Sequence, residues 1–172
     1  WNGTGSYFLP SDMTAALLRE QLENMEMIQA KRKAILNTHH RKMQPFANDN
    51  NIKPQSIHSY ADNNAHMYYL YFEKLYPRQR VIEQLNNLDI HTVSHYLSLH
   101  SSKYSKDANY GMDQVLPMSD RYMDCLLRLP LFYELTKGDQ QRIIEALKKC
   151  RLWATSNGNE NRFRKVAIES KA

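Results

Sequence analysis

Cysteine is scarce in this 172-residue sequence: there are two, Cys125 and Cys150, far apart in the chain. Their spacing matches neither a C-x-x-C motif nor a zinc-ligand pair, so a disulfide framework or a cysteine-based metal centre is not expected. The usage fits reduced, mostly buried thiols in a cytoplasmic protein. Glycine is also rare, with five residues in all. No G-x-G-x-x-G stretch, P-loop or G-x-S-x-G elbow occurs, and H-E-x-x-H is missing too. These gaps remove the common dinucleotide-binding, nucleoside-triphosphatase, serine-hydrolase and zinc-protease readings. No apolar run approaches the roughly 20 residues that cross a bilayer. No basic segment leads into an apolar one at the start, as a secretory signal would. The chain opens on Trp1 in place of methionine, which leads us to expect a processed, cleaved or truncated product.

What is present is ordinary for a globular protein: 42% hydrophobic and 24% charged residues. The length suits one domain or a substantial piece of a larger one. The formal net charge is +5. Much of it lies in Lys31-Arg32-Lys33, His39-His40-Arg41-Lys42 and Arg162-Phe163-Arg164-Lys165. Such an excess can steer anionic ligands, including nucleotide phosphates. Acidic residues interleave elsewhere and no nucleic-acid-reading motif accompanies the basic clusters. They therefore read as solvated helix faces and a basic tail, and no nucleic-acid partner is expected.

Residues 1–10 read as an ordered loop. Ser11 is a good N-cap with Asp12 behind it in the first turn. From Met13 apolar residues recur at helical spacing through Leu17, Leu22, Met25, Ile28, Ile35, Leu36 and Met43, predicting one long helix over 11–44 that stops at Pro45. Residues 45–65 are rich in Asn, Asp, Ser and Pro and read as a connection. A strand is predicted over His66–Phe72, a helix over Arg78–Leu88 and a second strand over Ile90–Leu97. A polar loop follows at 100–115. Ser119 caps a helix carrying Tyr122, Met123, Leu126 and Leu127, and Leu129–Phe132 is extended. Thr136 and Asp139 form a capping signal ahead of Ile143, Ile144 and Leu147. The pattern predicts an α+β unit: a long N-terminal helix, then a small antiparallel sheet packed with helices over 45–153, and a loose polar tail over 154–172. Two short strands make a poor sheet alone, and the first helix looks large for its partners, so the unit is expected to lean on another domain or subunit.

The residues alone offer little chemistry. His39 and His40 are adjacent on a helix and diverge, which is poor for chelation. His91 and His95 share a strand face but lie far apart along it. His95 and His100 flank a strand end, where binding side chains are often held. Gly3-Thr4-Gly5-Ser6 lies just ahead of a capped helix, where amides and hydroxyls can hold a phosphate.

Three stretches, in order, extend this reading. The first is Trp1-Asn-Gly-Thr-Gly-Ser-Tyr-Phe-Leu-Pro-Ser-Asp12 with Ala15-Ala16 and Gln21-Leu22. The second is Asn64-Ala-His-Met-Tyr-Tyr-Leu70 followed by Val93-Ser-His-Tyr-Leu-Ser-Leu-His-Ser-Ser102. The third is Ser119-Asp-Arg121, Leu127-Arg-Leu-Pro-Leu-Phe132, Leu135-Thr136 and Ile143-Ile-Glu-Ala-Leu147. Together they resemble the C-terminal part of the sugar aminotransferases that use pyridoxal phosphate (the DegT/DnrJ/EryC1/StrS family), within it most closely the subgroup of dTDP-4-amino-4,6-dideoxygalactose transaminases.

The resemblance implies the small C-terminal domain of the fold-type-I aminotransferase fold, with a large lysine-bearing domain ahead of Trp1 and a second subunit completing a homodimer. It implies amino transfer from glutamate to a 4-keto-6-deoxy sugar on a nucleotide, serving cell-envelope (lipopolysaccharide) biosynthesis. The family's Schiff-base lysine sits in an S-F-H-x-x-K type motif, and none of the twelve lysines here has that setting. The chain alone is therefore expected to be inactive. Ser6 and Tyr7 match the loop that reaches a neighbouring active site and holds the cofactor phosphate, with Tyr7 standing where the family has Asn or Ser. His95, Tyr96 and His100 match the stretch near the sugar-nucleotide pocket, and Ser98 replaces a proline between them, which predicts a looser turn. His66 matches a structural histidine at a strand start. The alternative is a standalone interaction module from a split or decayed gene. No metal is implied.

Overall fold

The computed structural model describes residues 9–108 and 115–152. Its order is helix, helix, strand, strand, helix, strand, three helices with a strand among them. The N-terminal helix comes in two segments, α1 (Asp12–Glu23) and α2 (Met25–Asp49). Ser11 caps α1 as predicted, its side chain accepting from the Thr14 amide. Asn24 makes the break between the segments. Its amide still reaches the Glu20 carbonyl at 3.3 Å, and its own carbonyl accepts from Ile28 at 3.1 Å, so the axis is interrupted for a single residue.

The helix does not stop at Pro45. Proline removes one amide donor, but Met43, Phe46 and Ala47 around it are buried, and this packing carries α2 on to Asp49. The turn that ends it is closed by Asn51 at φ 55°, with Ile52 N–H donating to the Ala47 carbonyl at 2.8 Å. In a glycine-poor chain, asparagine supplies the left-handed residue that glycine usually provides. Asp89, at φ 53°, does the same after α3 (Leu75–Asn86), where Ile90 N–H returns to the Leu85 carbonyl at 3.0 Å.

Four short strands make one antiparallel sheet in the order β1-β2-β4-β3. They are β1 (Lys53–Pro54), β2 (Tyr68–Tyr71), β3 (Val93–Ser94) and β4 (Leu126–Leu129). The sheet is thus twice as wide as the sequence suggested. The predicted strand at 90–97 shrinks to two residues at the edge. Leu126 and Leu127, read as helical, instead open the central strand β4, where Leu127 pairs with Leu70. Here α5 (Pro117–Cys125) ends directly at the strand, at Cys125.

Alternation along β2 and β4 sends Tyr68, Leu70, Leu127 and Leu129 to one face, and all four are buried. They meet Ile35 and Met43 of α2, Val81 and Leu85 of α3, and Ile143, Ile144 and Leu147 of α6 (Lys137–Lys149) in one core. Two buried polar contacts tie the layers. Gln140 Nε2 donates to the Ile35 carbonyl at 3.0 Å, and His39 Nε2 donates to the Pro130 carbonyl at 3.1 Å. His39 is buried and His40 is exposed, as adjacent helix positions require. Both cysteines are free. Among the described residues no helix is long and apolar enough to cross a membrane, and no group of three or more potential ligands could hold a metal ion. The result is an α+β unit of helices on a small antiparallel sheet.

Candidate functional site

The opposite face of the sheet carries the candidate site. Tyr69 pairs across the ladder with Arg128, and Arg128 in turn with Val93. Residues paired this way project to the same side, so one row runs tyrosine, arginine, valine across three strands. The chain leaves β3 after Ser94 and enters His95 and Tyr96 beside that row.

His95 and Tyr96 lie with ring centroids 5.3 Å apart at 59°. Tyr96 is 76% exposed, a large aromatic surface with little covering it. The Arg128 guanidinium stands 5.9 Å from its ring centroid, within range of a cation–π attraction. His95 is half-buried, and its Nδ1 has no hydrogen-bond partner among the described residues. Burial first, and the positive charge of Arg128 second, hold its pKa below the ordinary value, so the ring is neutral at pH 7.

His100 does not join this pair. It sits in a 3₁₀ turn (Leu99–Ser101), where its Nε2 meets Asp120 Oδ1 of α5 at 3.2 Å. That contact fixes one ring nitrogen and leaves Nδ1 buried without a partner among the described residues. Between the two histidines Ser98 is buried, and the turn is not loose. Ser98 N–H donates to Met123 Sδ at 3.3 Å, and its hydroxyl accepts from Ser119 Oγ at 3.1 Å. A proline has no N–H to give. The serine therefore ties the loop to α5 by a bond that the expected residue could not make. Ser105 Oγ adds a bond to the Leu99 carbonyl at 2.7 Å, at the start of α4 (Lys103–Asp107).

Helix α5 is thus the support of the loop, supplying Ser119, Asp120 and Met123. On its other side Tyr122 packs against Tyr71 at 5.2 Å, and Arg121 lies 5.8 Å from the Tyr71 ring. Buried Arg78 of α3 is held near Asp124 of α5, and desolvation pulls its pKa down against that charge. His66 stands apart at the start of β2, donating from Nδ1 to Asn64 Oδ1 at 2.6 Å. Ser6 and Tyr7 lie outside the described residues.

Sequence reasoning brought His95 and Tyr96 forward, read Ser119 as a helix cap and Met123 as helix core, and assigned no role to Arg128 or Asp120. In the structure α5 starts earlier, at Pro117 after Leu116, so Ser119 lies inside the helix and bonds to Ser98 instead. A signal existed for Arg128: it is the one charged residue in the run Leu126-Leu127-Arg128-Leu129.

A model of the DegT/DnrJ/EryC1/StrS aminotransferase family matches residues 4–148. The chain belongs to that family. Solved structures agree in fold. Spr1654 of Streptococcus pneumoniae, assigned as a sugar aminotransferase, superposes with TM-score 0.69 at 22% identity, over 94% of this chain and 37% of its own. An aminotransferase from Psychrobacter cryohalolentis gives TM-score 0.75 at 20% identity, over 85% of this chain and 40% of its own. PseC of Helicobacter pylori, an aminotransferase involved in the biosynthesis of pseudoaminic acid, gives 0.70 at 19%, over 86% and 39%. The family member described here therefore spans well under half the length of these relatives.

Proposed function

We propose that this chain is the C-terminal part of a pyridoxal-phosphate-dependent sugar aminotransferase that passes an amino group from glutamate to a 4-keto-6-deoxy sugar carried on a nucleotide. The observation that carries the reading is the family match over residues 4–148. Within the family, the Asn64–Leu70 and Val93–Ser102 stretches favour the dTDP-4-amino-4,6-dideoxygalactose transaminases. The solved pyridoxal-phosphate and pyridoxamine-phosphate forms of Spr1654 support the cofactor in a complete enzyme.

The described residues do not fit a covalent cofactor site. None of the described lysines is buried, and those on α2 are engaged elsewhere: Lys31 over Tyr133, Lys33 with Asp62, Lys42 with Gln141. A lysine that forms a Schiff base near neutral pH needs a desolvated or otherwise pKa-lowering setting. In this reading the anchoring lysine would come from a large domain beyond the described residues. Ser6 and Tyr7 would contribute contacts to the cofactor phosphate of a neighbouring subunit. The bound cofactor would supply the amino carrier and electron sink.

The role of this chain is then to build the sugar-nucleotide side of the site. Tyr96 offers an exposed ring to the base or sugar. Neutral His95 can accept a hydrogen bond from a hydroxyl. His100, oriented by Asp120, closes the loop behind them. The partners are the large domain and a second subunit of a homodimer, in the cytoplasm, serving lipopolysaccharide assembly.

The test is glutamate-dependent turnover. The chain and the protein from the complete reading frame are each incubated with pyridoxal phosphate, glutamate and a dTDP-4-keto-6-deoxy sugar, and 2-oxoglutarate release is followed. Turnover is expected only from the complete protein. Release by the chain alone overturns its inactivity, and a complete protein that aminates no keto-sugar overturns the aminotransferase reading.

A further inference from the structure

An arginine in the central strand of a small sheet is costly unless something uses it. Arg128 is half-buried, and no carboxylate lies within ion-pair distance of it among the described residues. The two acids of α5 have other partners: Asp120 holds His100, and Asp124 acts on buried Arg78. Around the guanidinium stand Tyr96, whose ring it approaches at 5.9 Å, and its cross-strand neighbours Tyr69 and Val93. His95, whose Nδ1 has no hydrogen-bond partner among the described residues, is close enough for the Arg128 charge to act on it. On the same face Arg121 repeats the arrangement over Tyr71, at 5.8 Å. The surface is cationic and aromatic together, the combination that suits a planar base joined to a phosphate chain.

We propose that Arg128 is the side chain that recognises the diphosphate of the nucleotide-linked substrate, with Tyr96 setting the orientation of its guanidinium fork. The assignment rests on the sugar-nucleotide reading of the site and adds to it the residue that carries specificity for the anion. A guanidinium gives two parallel N–H donors to one phosphate, which the ammonium of lysine cannot match. Stacking on Tyr96 limits the directions in which those donors point. His95 stays neutral beside it and so does not compete for the phosphate as a second cation.

The experiment is calorimetric titration of the chain at low ionic strength with dTDP and, separately, with thymidine. R128Q and R128K are compared with the parent, and circular dichroism checks that each variant is folded. We expect dTDP binding that weakens with salt, falls roughly tenfold or more in R128Q and falls by a smaller factor in R128K. Thymidine binding should be the same in all three. If folded R128Q binds dTDP as the parent does, the role of Arg128 is overturned while the sugar-nucleotide reading stands. If the parent binds no dTDP, the assignment falls as well, and the turnover assay decides the wider reading independently.

Discussion

His39 is fully buried in α2, stacked on Tyr68 at 5.6 Å, with its Nε2 donating to the Pro130 carbonyl. Desolvation outweighs the backbone hydrogen bond and holds its pKa below the ordinary value of about 6.5. The folded state therefore keeps the ring neutral while the unfolded chain protonates it as pH falls. Above about pH 6.5 there is no penalty, and below it stability is lost by up to about 1.4 kcal/mol per pH unit until the folded pKa is reached. His95 contributes with the same sign. We expect the urea midpoint of the chain to fall from pH 7.5 to pH 5.5, and to fall less in His39→Gln, whose amide can still reach Pro130. An unchanged slope in that variant would mean that His39 is not the group responsible. At this scale the sequence was informative unevenly. His95 and Tyr96 are adjacent, so their motif announces them together. The importance of Arg128 depends on its register against Tyr69 and Val93, which no local pattern encodes, and Ser98 matters only because Ser119 and Met123 come to it from 21 and 25 positions away.

Elements set by local chemistry were the legible ones. Thr136 and Asp139 make the reciprocal capping box that their spacing announces: Asp139 N–H donates to Thr136 Oγ1 at 3.1 Å, and the Thr136 amide donates to Asp139 Oδ2 at 3.2 Å. Hydrogen bonding from the Thr136 side chain and backbone lowers the Asp139 pKa. Thr136→Ala should cost about 1 kcal/mol in equilibrium unfolding, and Thr136→Ser close to nothing. Equal losses in the two variants would point to the methyl group instead of the cap. Elements set by tertiary context were misread. Leu126–Leu129 is a short apolar run, which periodicity cannot separate from the end of a helix, and only pairing with β2 decides it as a strand. Strand β1 is two residues long and includes Pro54, tolerated because it lies at the sheet edge. Helix α2 outlasts Pro45 because Phe46 and Ala47 are buried beyond it.

At the scale of the whole molecule, the N-terminal segment is unlike the rest. Helix α1 has no buried residue, yet Met13, Leu17, Leu18 and Leu22 are between 54% and 86% exposed. At 100° per residue these four fall on one broad arc, while Asp12, Arg19, Glu20 and Glu23 occupy the opposite one. A helix with an apolar arc and nothing on it is stable in water chiefly when something covers that arc. Helix α1 contributes no residue to the core formed by α2, α3, α6 and the sheet, and in the proposed enzyme a large domain or a second subunit would cover its apolar arc. The two roles of α1 separate in an experiment. Leu17→Glu with Leu22→Glu should leave the unfolding midpoint of the chain within about 0.5 kcal/mol of the parent, because surface changes that touch no packed feature rarely exceed that. The same pair should reduce concentration-dependent self-association in light scattering and, in the complete protein, lower the dimer fraction. A loss of several kcal/mol in the isolated chain would instead place α1 within its core, and unchanged association in both settings would remove α1 from the interface.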